Sequence, residues 1–141
     1  TVTPGNATDY AFVRDDAIKL ASKYHVKKFA YDRFLAGQLA GELRAAGIPV
    51  EPFGQGYRSM SDPTKALMRL VLDRRIRHGG HDILRWNASN LVVTQDPAAN
   101  LKPDKSKASE KIDGVVALIE ALGVEMMEQM DDGPRMYVIG A

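Results

Sequence analysis

The chain has 141 residues, 45% of them apolar and 26% charged, with a net charge of +1. That is enough chain for one domain with a sizeable core, and the near-neutral balance confines any nucleic-acid-binding surface to a local patch. The lack of cysteine excludes disulfides, thiolate zinc sites and cysteine nucleophiles, and no apolar run approaches the ~20 residues of a membrane span.

The first residues, Thr1-Val2-Thr3-Pro4-Gly5-Asn6, read as the interior of a loop and carry no initiator methionine, which predicts a piece of a longer protein. No secretory signal is visible, so Asn6-Ala7-Thr8 and Asn87-Ala88-Ser89 match the glycosylation pattern by chance. Thr8 or Asp9 is placed to cap a helix reaching about Tyr24, with Phe12, Val13, Ala17, Leu20 and Ala21 at helical spacing for burial. A strand over about 26–31 follows. A second helix over about 33–46 carries Phe34, Leu35, Leu39, Leu43 and Ala46, and Gly47 supplies a left-handed stop. Ile48 to Phe53 reads as a short strand whose prolines favour an edge. Strand, helix, strand at this spacing predicts a right-handed parallel crossover.

Gly54 to Ser59 reads as a loop. Ser61 is the expected N-cap of a helix over about 62–77, with Pro63 in its first turn, Leu67, Leu70 and Val71 buried, and Arg74, Arg75 and Arg77 at its end. Gly79-Gly80 stops it, and His81 to Trp86 forms a short helix. Leu91 to Thr94 reads as a strand, and Gln95 to Ser109 as a polar, basic loop. The last long helix is expected over about 109–122, burying Ile112, Val115, Val116, Ile119 and Leu122 and ending at Gly123. The Met-rich remainder ends in Met136-Tyr137-Val138-Ile139, which reads as a small strand, a docked segment or disorder. No internal repeat and no domain boundary is visible.

Two aspartates stand out. Asp32 closes an apolar run where a strand should end, and ligands of open α/β sheets gather beyond such strand ends. Asp113 lies near the start of the last helix. Two-metal phosphodiester chemistry holds cations about 4 Å apart and needs carboxylates on rigid, converging elements. The plain alternatives are an N-cap for Asp32 and a macrodipole-favoured acid for Asp113. Gly114 weighs toward function, because glycine inside a helix costs about 1 kcal/mol and permits close approach. Lys102, Lys105, Lys107 and Lys111 precede Asp113 and suit a polyanionic substrate, or else form a solvated loop. The arginines at 74, 75 and 77 read as dipole-complementing surface charge. Gly54-Gln55-Gly56-Tyr57-Arg58-Ser59 matches a dinucleotide fingerprint weakly, since Ser59 replaces the third glycine. His78 and His81 lack a third ligand and read as a turn. Neither a serine-hydrolase elbow nor a P-loop occurs.

Several segments together resemble one family. They are Phe29-Ala30-Tyr31-Asp32-Arg33, Gly54-Gln55-Gly56 with Met60-Ser61, Leu84-Arg85-Trp86 followed by Asn90, Pro103 with Lys105, and Lys111-Ile112-Asp113-Gly114 running into Val116-Ala117. In this order and spacing they resemble the C-terminal nuclease domain of the large terminase subunit of tailed bacteriophages, from about Thr3 to Gly123. The resemblance implies an α/β, ribonuclease H-like fold, a mixed sheet flanked by helices. It implies a nuclease domain over 1–123 and a tail over 124–141. It further implies an endodeoxyribonuclease that cuts concatemeric double-stranded DNA during packaging, with Mg²⁺ or Mn²⁺ at a two-metal site. Asp32 and Asp113 would be metal ligands, Lys105 would lie near the scissile phosphate with Lys107 and Lys111 as further DNA contacts, and Asn90 would support the site. Implied partners are the ATPase domain of the same subunit, the small terminase subunit and the portal, in the cytoplasm of a bacterial host and away from any membrane. The family's first strands, one bearing another aspartate, have no counterpart before Thr1. An incomplete site that binds metal weakly, an isolated piece without catalysis, and self-association through an open sheet edge are therefore expected. The competing readings are a non-catalytic DNA- or portal-binding module and a nucleotide-binding domain using the Gly54 loop.

Overall fold

The computed structural model describes residues 9–33 and 37–131. The expected helix positions Phe34 and Leu35 and the tail residues Met136 to Ile139 lie outside them. The chain forms two compact units that divide between Phe53 and Gly54, where the sequence shows no boundary.

In the first unit, α1 spans Tyr10–Lys23. Asp9 is its cap, accepting from the Ala11 N–H at 2.8 Å and so satisfying one of the helix's orphan donors. Strand β1 (Phe29–Asp32), helix α2 (Gly37–Ala45) and strand β2 (Val50–Phe53) follow. β1 and β2 pair in parallel, Phe29 opposite Val50 and Asp32 opposite Phe53, as the strand–helix–strand spacing predicts. Gly47, at φ +76°, ends α2. The Ile48 N–H donates to the Leu43 carbonyl at 3.0 Å and the Gly47 N–H to the Arg44 carbonyl at 2.9 Å, a Schellman closure. The closing residues Leu43 and Ile48 then join Ala17 in the unit's core, with Phe29, Leu39 and Val50 packed against them.

The apolar face assigned to α1 is buried only at Ala17; Phe12, Val13 and Leu20 stay 44–48% exposed. The small residues Ala17 and Ala21 make the core contact, and among the described residues nothing covers the larger ones. The first strand starts at Phe29 rather than near residue 26, because Tyr24 and Val26 close a turn after α1.

The second unit contains α3 (Tyr57–Leu72), α4 (Asp82–Ser89), β3 (Val93–Gln95), β4 (Leu101–Pro103) and α5 (Asp113–Asp131). α3 packs on α5 and on β4, and α4 packs on α5. Their shared core includes Met60, Leu67, Ile112, Val115, Val116 and the fully buried Ile119. Burying one such side chain contributes about 1.5–3 kcal/mol.

Several boundaries differ from the sequence reading, among them the start of the last helix, at Asp113 rather than near residue 109. α3 begins at Tyr57 with Gly56 as N-cap, so Ser61 and Pro63 lie inside the helix. Ser61 is buried, and its hydroxyl accepts from the Leu101 N–H at 3.3 Å instead of capping. α3 ends at Leu72, which leaves Arg74, Arg75 and Arg77 beyond the helix. Arg74 takes the left-handed conformation at φ 55° and closes a second Schellman turn, with Arg75 N–H to the Leu70 carbonyl at 2.8 Å. The stretch read as loop from Gln95 contains β4, antiparallel to β3 with Val93 opposite Pro103. Asp96 folds the connecting turn by accepting from the Ala98 and Asn100 N–H groups at 2.9 and 2.8 Å. Finally, the last helix does not stop at Gly123 but continues to Asp131, and Val124 is buried. Glycine stops a helix only by turning left-handed, and Gly123 does not. The two strand directions of the expected mixed sheet occur as two separate two-stranded ladders among the described residues.

Candidate active site

Asp113 is the first residue of α5, where the macrodipole favours a negative charge. Its carboxylate Oδ1 lies 3.0 Å from the Lys105 ammonium, with both side chains at least half exposed. Lys105 comes from the turn after β4. That turn is organised by Asp104, whose carboxylate accepts from the Ser106 hydroxyl at 2.6 Å and from its N–H at 3.0 Å. The Ala108 N–H reaches back to the Asp104 carbonyl at 3.1 Å, and the Asp104 N–H donates to the Val92 carbonyl at 2.8 Å. The Ser106 hydroxyl, aided by its N–H and by the Lys107 charge, holds the Asp104 carboxyl below the usual carboxylate range.

The basic loop is therefore a built turn in which Lys102, Lys105 and Lys107 are engaged within the chain. Lys107 pairs with Asp104 at 3.5 Å, and the Lys102 ammonium lies 5.1 Å from the centroid of the Tyr57 ring. The Lys111 side chain is exposed. A pocket of about 350 Å³ adjoins the turn, lined by Gln55, Met60, Lys102, Lys105, Ser106 and Val116. Beside it the Gln55 amide donates to the buried Glu120 carboxylate at 2.8 Å.

Asn90 is the C-cap of α4, and its side-chain oxygen accepts from the Ser109 hydroxyl at 3.0 Å. It thereby ties the end of α4 to the segment that leads into Asp113. Asn87, which the sequence reading noted only as a chance glycosylation match, does more. It is 3% exposed, donates from Nδ2 to the Lys111 carbonyl at 3.0 Å and accepts at Oδ1 from the Gly114 N–H at 2.7 Å. A Cβ at Gly114 would stand 2.7 Å from Asn87 Oδ1, so the glycine does permit a close approach, as its place in the helix suggests. The signal for Asn87 was its spacing: three residues after Leu84 it falls on the same face of α4, where a polar residue must find buried partners.

Asp32 ends β1 in the first unit and is half-buried. His81 caps α4, its Nδ1 accepting from the Leu84 N–H at 3.3 Å, which gives the His78–His81 turn a structural role. Among the described residues no three His, Asp or Glu side chains gather into a ready metal cluster. Exposed carboxylate oxygen is nevertheless the donor that Mg²⁺ and Mn²⁺ prefer, and Mg²⁺ typically takes one or two carboxylates and keeps several waters. Asp113 fits that donor type.

The described residues form a small mixed α/β protein in which a helix-opening carboxylate and a lysine from a folded turn stand side by side. The family model described as "Terminase large subunit, endonuclease domain" matches residues 1–129, and the chain belongs to that family. The large terminase subunit of Enterobacteria phage HK97 is 38% identical over 133 residues, which cover 93% of this chain and 26% of that protein. Protein YmfN of Escherichia coli (strain K12) is 36% identical over 135 residues, or 94% of this chain and 30% of that protein. The crystal structure of the HK97 large terminase matches with a TM-score of 0.80 at 39% identity, covering 86% of this chain and 26% of that one. The chain thus spans 26–30% of the length of these curated relatives. The family expected from the sequence motifs is the family found.

Proposed function

We propose that the chain is the metal-dependent endonuclease domain of a phage or prophage DNA-packaging terminase, with a ribonuclease H-like fold, and that it cuts concatemeric double-stranded DNA. The observation that carries this reading is the 3.0 Å pairing of Asp113 with Lys105 in a chain of this family. The pair sets a hard-cation ligand beside a phosphate-binding group. In this reading Asp32 and Asp113 are each ligands for Mg²⁺ or Mn²⁺, and the chemistry is of the two-metal kind. When bound, the cations supply a water of lowered pKa and stabilise charge on the attacking and leaving oxygens.

The chain's own residues do the positioning. Lys105 turns from Asp113 to a backbone phosphate as DNA arrives. Lys107 and Lys111 add phosphate contacts that carry no sequence information. Asn90 braces the approach to α5 through Ser109. In the intact subunit, the ATPase domain, the small subunit and the portal would deliver DNA to the site in the host cytoplasm.

The test is plasmid cleavage by the intact subunit with Mn²⁺. Asp32→Asn and Asp113→Asn should each abolish cutting with an unchanged circular dichroism spectrum. Cutting that survives in both variants would overturn the assignment.

A further inference from the structure

We infer that Asn87 is the positioning residue of the site: it clamps the start of α5 from outside the helix and so fixes where Asp113 presents its carboxylate. The inference rests on the reading of Asp113 as a metal ligand.

The first N–H groups of a helix have no partner inside it and are normally met by a capping side chain just upstream. Here the preceding residue is Ile112, which is buried and apolar and cannot cap. The Gly114 N–H is met instead by Asn87 of α4, at 2.7 Å. The same amide donates to the Lys111 carbonyl at 3.0 Å. Asn87 therefore grips the backbone on both sides of Asp113 at once. With Asn87 in that role, Asp113 Oδ1 is directed at Lys105.

The grip is geometrically demanding. Asn87 is 3% exposed, so both its polar ends must be satisfied within the protein. A Cβ at residue 114 would stand 2.7 Å from its Oδ1, so any side chain there forces Asn87 to shift. Asn87 and Gly114 are thus one device. Ligand positions loosened by about 1 Å cost catalysis heavily, which is why buried amides of this kind matter to a metal-binding carboxylate.

The test is a cycle of Asn87→Ala, Gly114→Ala and the double variant in the 141-residue chain. Its readouts are thermal melting and Mn²⁺ titration followed by paramagnetic broadening of the residue 113 and 114 amides. Gly114→Ala alone should lower the melting temperature by about 5 °C or more. In the Asn87→Ala background the same change should cost little, since the collision is gone. The double variant, folded but without the clamp, should bind Mn²⁺ at least about ten-fold more weakly than the wild type. Wild-type Mn²⁺ affinity in the double variant would overturn the inference while leaving the metal reading intact. Broadening that is absent from the wild type, or unchanged by Asp113→Asn, would overturn both.

Discussion

The Lys105 ammonium sits 3.0 Å from the Asp113 carboxylate, with the lysine carried by the turn after β4 and the aspartate by the first residue of α5. An exposed pair of this kind adds only about 0–1 kcal/mol to stability. In the proposed reading its interest is chemical, since each partner would exchange the other for a cation or a phosphate. Lys105→Ala should therefore leave the melting temperature nearly unchanged. It should lower DNA cleavage by the intact subunit on the order of 10²-fold and reduce the salt dependence of DNA binding by about one phosphate contact. Cleavage kinetics and a salt titration of binding check both.

Asp104 holds the neighbouring turn through Ser106, and its carboxyl lies below its ordinary value of 3.8. A lowered folded-state value stabilises above the unfolded one and is lost as pH falls through the lowered one. The Ser106 and Lys107 amide resonances should therefore follow an acid titration whose midpoint lies below 3.8. In Asp104→Asn the acid-dependent shift should vanish, and a titration by nuclear magnetic resonance reads this directly.

Arg74 closes α3 in the left-handed region at φ 55°, whereas α2 closes the same way with Gly47 at φ +76°. A non-glycine residue there costs roughly 1–2 kcal/mol, partly offset by the greater unfolded-state freedom of glycine. Arg74→Gly should raise stability by about 0.5–1 kcal/mol in urea unfolding, with an unchanged dependence on urea concentration.

The Thr64 hydroxyl is buried on α3 with no hydrogen-bond partner among the described residues. It lines an apolar cavity of about 580 Å³ with Leu67, Val71, Val115 and Ile119. A buried hydroxyl without a partner costs about 1–3 kcal/mol relative to an apolar group of the same shape. Thr64→Val should stabilise the chain by about 1 kcal/mol, measured by thermal or urea unfolding.

The features legible in the sequence are those that local chemistry decides. Asp9 caps α1 because a carboxylate there meets an orphan N–H. Gly47 stops α2 because only glycine turns left-handed without cost, and the spacing of β1, α2 and β2 leaves a parallel crossover as the natural pairing. Asp113 opens its helix where the macrodipole welcomes charge, and Gly114 marks a close approach. The features that only tertiary structure decided depend on partners distant in sequence. Ser61 has the composition of a cap, yet β4 recruits its hydroxyl and α3 begins a turn earlier. Leu101-Lys102-Pro103 has little strand propensity and becomes β4 because β3 pairs with it. Gly123 stays helical because packing continues past it to Val124. Asn87 reads as an ordinary polar residue until α4 lies against α5, when its one amide must serve both Lys111 and Gly114. A single sequence records each residue's preferences, but which buried donor meets which acceptor is fixed only when the helices pack.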